Sequence, residues 1–257
     1  YASLDNRMIY EQTGVSTYQR IGVSYASLGK FEVAIEFLEK ALEIEYDDAV
    51  AFELATILYD QKEYQKANLC FKQIDTISQD FEGYEYGYAL ALHAEHQTEE
   101  ALRLTQQGLS KNPFDTRLLL LASQLSYELH DEQKAEEYLL QAQENAEDEE
   151  EIVLRLTNLY VQQERFDEVL KFEEQDIDNV LTKWNIARAY QALEQTTAAL
   201  ERYRLLLSDL KENPEFLEQY IYLLREMGDF EEAKHQAEYY LHLVPDDMEM
   251  QELYDSL

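Results

Sequence analysis

Seven short segments recur along the chain at an almost fixed distance, and no other property of the sequence restricts the fold as much. They are Phe31-Glu32-Val33-Ala34, Tyr64-Gln65-Lys66-Ala67, Thr98-Glu99-Glu100-Ala101, Glu132-Gln133-Lys134-Ala135, Phe166-Asp167-Glu168-Val169, Thr196-Thr197-Ala198-Ala199 and Phe230-Glu231-Glu232-Ala233. Their final residues, 34, 67, 101, 135, 169, 199 and 233, are separated by 33, 34, 34, 34, 30 and 34 positions. A repeat of that length is one supersecondary unit that cannot bury its apolar face alone, so neighbouring units must stack. The 257 residues include only 7 Gly and 3 Pro, which leaves little material for tight hairpin turns or Gly-rich phosphate loops. Apolar residues at every third or fourth position, in a composition that is 46% hydrophobic, read as short amphipathic helices.

The residues around these segments carry a further pattern. Tyr18, Ile21, Gly22, Tyr25, Gly29, Phe31, Ala34, Leu38 and Ala41 stand in the first unit; Leu54, Ala55, Leu58, Tyr64, Ala67 and Phe71 repeat it, as do Ile186, Ala187, Tyr190, Ala199 and Tyr203. In this the chain resembles the tetratricopeptide repeat family, whose unit is a helix-turn-helix of about 34 residues. Gly228, Phe230, Ala233 and Pro245 continue the match in the last unit, and Pro113 and Pro245 fall at the family's closing proline. Thr98, Glu132 and Thr196 depart from it, standing where an aromatic residue is expected.

The resemblance implies an all-α fold, a right-handed superhelical solenoid of antiparallel helix pairs. Small residues at the eighth and twentieth positions of each unit would let paired helices approach closely. One array is expected over 1–257: a partial hairpin at 1–14, repeats at about 15–47, 48–81, 82–115, 116–149, 150–179, 180–213 and 214–247, and a terminal capping helix at 248–257. Tyr1 to Thr13 fits a second helix whose partner lies upstream. The fifth repeat is four residues short near Asp176 to Asn179, which should truncate its second helix and bend or break the array there.

Against 54 Asp and Glu the chain has 21 Lys and Arg, a formal net charge of -33. Such a field repels phosphate backbones and anionic lipid surfaces, so neither nucleic acid nor membrane is an expected partner. Cys70 is the only cysteine, which excludes an internal disulfide and any multi-cysteine metal site. A cytoplasmic location is expected, and no apolar run reaches the length of a membrane span.

Candidate chemistry is sparse. His93 and His96 lie three apart at a helix end, a spacing that can place two imidazoles on one metal with Glu95, Glu99 or Glu100 as third ligand. A solvated helix end explains the same residues, and no metal is expected. The run Glu147 to Glu151 lacks the alternation and central Gly of a calcium loop and reads as acid complementing a helix N-terminus. No nucleophile elbow or phosphate loop is present, so neither cofactor nor enzymatic activity is expected.

In the family, first helices of successive units line a concave groove. Carried onto this sequence, its variable positions give the peptide-binding residues Phe52, Tyr59, Tyr86, Leu90, His93, Leu120, Gln124, Tyr127, Asn158, Trp184, Arg188, Tyr222 and Arg225. Of the fifteen such positions in the first three units only Asp60 is charged, although 29% of the chain is, and aromatic side chains with a polar tip favour peptide recognition. The family's carboxylate clamp is incomplete: Asn158 and Asn185 match it, whereas Leu154, Glu215 and Gln219 stand where basic residues belong. The expected function is therefore a scaffold that holds a peptide or protein segment. Two alternatives are self-association through the array's ends and a sensory or substrate-positioning part of a longer enzyme or regulator.

Overall fold

The computed structural model describes residues 15–76, 81–145, 149–175 and 177–257, and among these it is all-α, with fifteen helices and no strand. The expected hairpin at 1–14, Glu147, Asp148 and Asp176 lie outside the described residues. The helices are α1 (Val15–Ser27), α2 (Phe31–Ile44), α3 (Asp48–Asp60), α4 (Tyr64–Gln73), α5 (Tyr84–Ala94), α6 (Thr98–Lys111), α7 (Thr116–Glu128) and α8 (Glu132–Asn145). They continue as α9 (Glu149–Gln162), α10 (Phe166–Leu170), α11 (Val180–Ala192), α12 (Thr196–Leu210), α13 (Pro214–Glu226), α14 (Phe230–Leu243) and α15 (Met248–Ser256). Two compact units divide the chain, Tyr1–Tyr138 and Leu139–Leu257, and each is a run of antiparallel helix pairs.

Helix starts are written in side chains. Asp47, Asp115, Asn179, Asn213 and Asp247 each occupy the N-cap of a first helix in extended backbone, and their side-chain oxygens accept hydrogen bonds from backbone N–H groups of the opening turn. Those N–H groups have no partner inside the helix, so each cap contributes about 1 kcal/mol. Pro214 follows Asn213 at the first helical position, where its missing N–H costs nothing.

Helix ends are written in backbone. Gly29, Lys62, His96, His130, Glu164, Glu194 and Gly228 all have positive φ, one at the turn of each helix pair. The N–H of the next residue reaches back five positions: Lys30 to the Tyr25 carbonyl, Glu63 to Leu58, Gln97 to Leu92, Asp131 to Ser126, Arg165 to Tyr160, Gln195 to Tyr190 and Asp229 to Leu224, all within 3.0 Å. This closure of the last helical turn around a left-handed residue satisfies carbonyls the helix leaves open, and it aims the second helix back along the first.

Close approach within each pair comes from small residues. Ala34, Ala67, Ala101, Ala199 and Ala233 are fully buried on second helices, and Ala55, Ala89, Thr157 and Ala187 are fully buried on first helices. Gly22 allows the same contact in the first pair: a Cβ there would lie 2.8 Å from Leu38 Cγ. Between pairs, α2 packs on α3, α4 on α5, α6 on α7, α10 on α11 and α12 on α13, while first helices touch one another at α1–α3, α3–α5 and α9–α11.

Gly108 on α6 is a second close approach. A Cβ at this position would sit 2.8 Å from Leu118 Cδ1 and 2.9 Å from Glu85 Cβ. Glu85 is only 6% exposed, and its carboxylate pairs with Lys111 Nζ at 2.6 Å, so the neighbour has no free direction to yield. Gly→Ala in a helix ordinarily gains up to about 1 kcal/mol, whereas overpacking costs about 1–3 kcal/mol. Gly108→Ala is therefore expected to lower the urea midpoint followed by helical circular dichroism; a raised midpoint would refute the tight contact.

The short fifth repeat truncates its second helix: α10 has five residues and continues as single turns bonded three residues back, from Lys171 to Glu168, Phe172 to Val169 and Glu173 to Leu170. Side chains complete what the helix lacks. Glu173 pairs with both Arg202 and the Tyr190 hydroxyl, and the Arg202 guanidinium lies 3.9 Å over the Tyr190 ring. The segment packs against α9 and α11 within the second unit, and the division into units falls at Tyr138, inside α8, instead of at this repeat.

Candidate functional site

First helices carry the residues singled out from the sequence, and a helix presents positions three, four and seven apart on one face. Fifth-position residues of several first helices engage neighbouring side chains within their own unit. Gln19 on α1 donates from Nε2 to Glu53 Oε2 on α3 at 3.1 Å. Phe52 on α3 stacks on Phe81, 5.5 Å between centroids, and meets the edge of Phe71. Tyr86 on α5 lies under the Arg117 guanidinium of α7, 5.5 Å from the ring centre.

Leu120, at the same position of α7, is 8% exposed, and Trp184 on α11 is 6% exposed. The Trp184 indole donates to Gln219 Oε1 at 3.1 Å and meets Phe216 edge-on at 5.9 Å. Leu120 and Trp184 are thus withdrawn from the open surface, Trp184 by Phe216 and Gln219 of α13.

In the first unit the ninth, twelfth and thirteenth positions remain more open. Tyr59, His93 and Tyr127 occupy the twelfth position of α3, α5 and α7, spaced by 34 residues, and Tyr127 is 41% exposed. The Tyr59 ring tilts against Tyr64 at 5.6 Å, and burial, followed by the neighbouring Tyr64, Tyr86 and Asp60, pushes its phenol above the ordinary range. His93 Nε2 lies 2.8 and 3.0 Å from the two Glu128 carboxylate oxygens of α7, and Gln124 Nε2 donates to the same carboxylate at 3.2 Å. Leu90 packs half-buried against the cluster of Ala89, Leu92, Ala101, Leu121 and Leu125.

His93 and His96 do not converge: His96 is the left-handed turn residue, and among the described residues no group of three His, Cys, Asp or Glu could hold a metal ion. At the rim, Arg117 forks onto Asp115 with bonds of 2.9 and 3.2 Å. Burial opposes ionisation of Asp115, but the Arg117 bonds and charge and two backbone N–H groups outweigh it and hold the carboxyl below its ordinary range.

In the second unit Asn158 is exposed, and its Oδ1 accepts from Asn185 Nδ2 at 2.7 Å; Asn185 is 2% exposed and also reaches Thr157 Oγ1 at 3.1 Å. The Arg188 guanidinium lies 5.5 Å from the Trp184 ring centre. Tyr222 donates to Glu249 Oε1 at 3.1 Å, and Arg225 is exposed at the end of α13. Burial, then Asp247, Glu249 and Glu215, push the Glu218 carboxyl up.

The sequence alone does not single out Glu53; Glu128 is one of the variable first-helix positions, and Asn185 and Gln219 stand only as clamp positions. The signal is spacing. Gln19–Glu53, His93–Glu128 and Trp184–Gln219 lie 34 or 35 residues apart, one repeat plus at most one or two positions.

Stacked hairpins of short helices define an α-helical repeat protein. Two stretches of the chain match tetratricopeptide repeat models. A family model described as YpiA-like, C-terminal tetratricopeptide repeats matches residues 181–247, and a tetratricopeptide repeat model matches 15–48. The TPR repeat-containing protein YpiA of Bacillus subtilis is 23% identical over 227 residues, which cover 86% of this chain and 53% of that protein. The chain thus spans about half the length of the curated relative it matches.

Among solved structures, the C-terminal part of a TPR repeat-containing protein from Cytophaga hutchinsonii has a TM-score of 0.77 at 15% identity, covering 91% of this chain and 98% of that one. A tetratricopeptide repeat protein from Parabacteroides merdae has a TM-score of 0.63 at 16% identity, covering 94% and 97%. At these identities the likeness concerns fold. Repeats of this type serve in general as protein-interaction modules and not as catalysts. No described helix is long and apolar enough to cross a membrane.

Proposed function

We propose that the first-helix faces hold an extended or helical segment of a protein partner. In the first unit the anchors are Tyr59, Tyr86 and Tyr127, with Phe52, Leu90, His93 and Gln124 around them. In the second unit Asn158, Arg188, Tyr222 and Arg225 supply polar fixing. The observation that carries this reading is the twelfth-position row of Tyr59, His93 and Tyr127, which stays at least partly open, as does Tyr86, while Leu120 and Trp184 are buried. Aromatic rings with a polar edge bury area at low entropic cost, which suits a surface that must grip a chain through few contacts.

Peptides selected by phage display on the full chain test it. Replacing Tyr86 and Tyr127 by Ala removes two anchors, together expected to be worth at least about 2 kcal/mol, so capture should weaken at least roughly 30-fold with helicity retained. Unchanged capture by the helical double variant would remove this face from the proposal.

A further inference from the structure

The most informative residue on the second unit's face is a cation with no anion. In a chain with 54 acids and 21 bases, a basic side chain finds a carboxylate easily, and Arg155, Arg202 and Arg204 do so on Glu151, Glu173 and Asp229. Arg188 is partly buried and forms no ion pair among the described residues; its guanidinium rests on the Trp184 ring and faces the buried Tyr203 hydroxyl, whose ionisation its charge favours. Removing a guanidinium from water without a counter-charge is costly, and the ring returns only part of that cost.

The seat is nevertheless built. Gln219 Oε1 takes the Trp184 indole N–H at 3.1 Å and lies 2.9 Å from the Tyr203 hydroxyl, which lies 3.0 Å from Gln191 Oε1. These bonds fix the indole on which Arg188 lies. One turn either way along α11, the side chains at the spacing of a helical ion pair are Trp184, Asn185, Gln191 and Ala192, none of them acidic. The guanidinium lies over this fixed indole and has no carboxylate partner among the described residues.

We propose that Arg188 is the counter-charge for an Asp or Glu side chain within the partner's segment, an inference that rests on the scaffold reading above. A side-chain carboxylate fits better than a chain end, because Leu154, Glu215 and Gln219 stand where a clamp for a terminal carboxylate needs basic groups. A forked guanidinium meets such a carboxylate with two parallel N–H bonds, and the aromatic platform beneath limits its freedom before binding.

Phage-displayed peptides selected on the full wild-type chain, then synthesised with amidated C-termini, provide the test. Recovered peptides should share an acidic residue; changing it to Asn or Gln, or changing Arg188→Gln, should each weaken binding about 10-fold or more, with little further loss when the two are combined. Arg188→Lys, which keeps the charge and guards against a folding artefact, should retain part of the affinity. Acidic peptides that bind the Arg188→Gln chain as well as the wild type, peptides without an acidic preference, or binding lost on amidation would overturn the assignment. Recovery of no peptide by any of these chains would overturn the scaffold reading, and this inference with it.

Discussion

Tyr203→Ala should shift the urea unfolding midpoint reported by Trp184 fluorescence downward by at least about 1 M. Tyr203 is fully buried in the second unit, 5.3 Å from the Phe216 ring and stacked on Tyr220 at 6.0 Å. Its hydroxyl lies between Gln191 and Gln219, and burial raises its ionisation far above the ordinary phenol range despite the nearby Trp184 and Arg188. Deleting a buried aromatic ring costs about 3–5 kcal/mol, and a urea slope of about 1–3 kcal/mol per molar converts that into the stated shift.

Trp184 is the chain's one tryptophan and packs on the same cluster, so its emission reports this unit. Tyr203→Phe keeps the ring and removes only the hydroxyl, leaving a buried glutamine oxygen short of a donor, and should cost about 1–2 kcal/mol. A midpoint for Tyr203→Ala equal to that of Tyr203→Phe would mean the ring is not a core element.

Glycine at the five non-glycine turns should move stability the other way. Lys62, His96, His130, Glu164 and Glu194 are held at φ between 56° and 64°, where a side chain costs about 1–2 kcal/mol. Glycine removes that strain and gives back about 0.5–1 kcal/mol through the freedom of its unfolded chain, leaving a gain of about 0.5–1 kcal/mol per turn. The turns share no partners, so the gains should add, and the fivefold variant should melt roughly 5–15 °C higher. Gly29 and Gly228 already occupy two of the seven turns. Gly228→Glu should therefore lose about what Glu194→Gly gains, and a fivefold variant that melts no higher than the wild type would sink the strain argument.

The helix pairs were legible because their determinants are local and periodic. Buried Ala34, Ala67 and Ala101 recur where two helices must touch, and Asp47, Asp115 and Asp247 recur where a first helix must begin. The turns were only partly legible: Gly29 and Gly228 signal left-handed backbone by identity, whereas His130 or Glu164 does so only by its phase in the repeat.

The candidate face was harder to read. Position within a repeat tells which helix bears a residue but not whether the neighbour covers it. Trp184 reads as a groove anchor until Phe216 and Gln219, 32 and 35 residues on, are seen to enclose it. Asn158, by contrast, stays exposed while it accepts a hydrogen bond from Asn185.

The back-bonded turns also bear on how the protein comes into being. Each joins two helices that are sequence neighbours, and the next contact lies about one repeat further on, so loop closure is cheap at every step. A nascent polypeptide of this kind can condense pair by pair as it leaves the ribosome, each finished pair serving as the template for the following one, without waiting for its far end to be made.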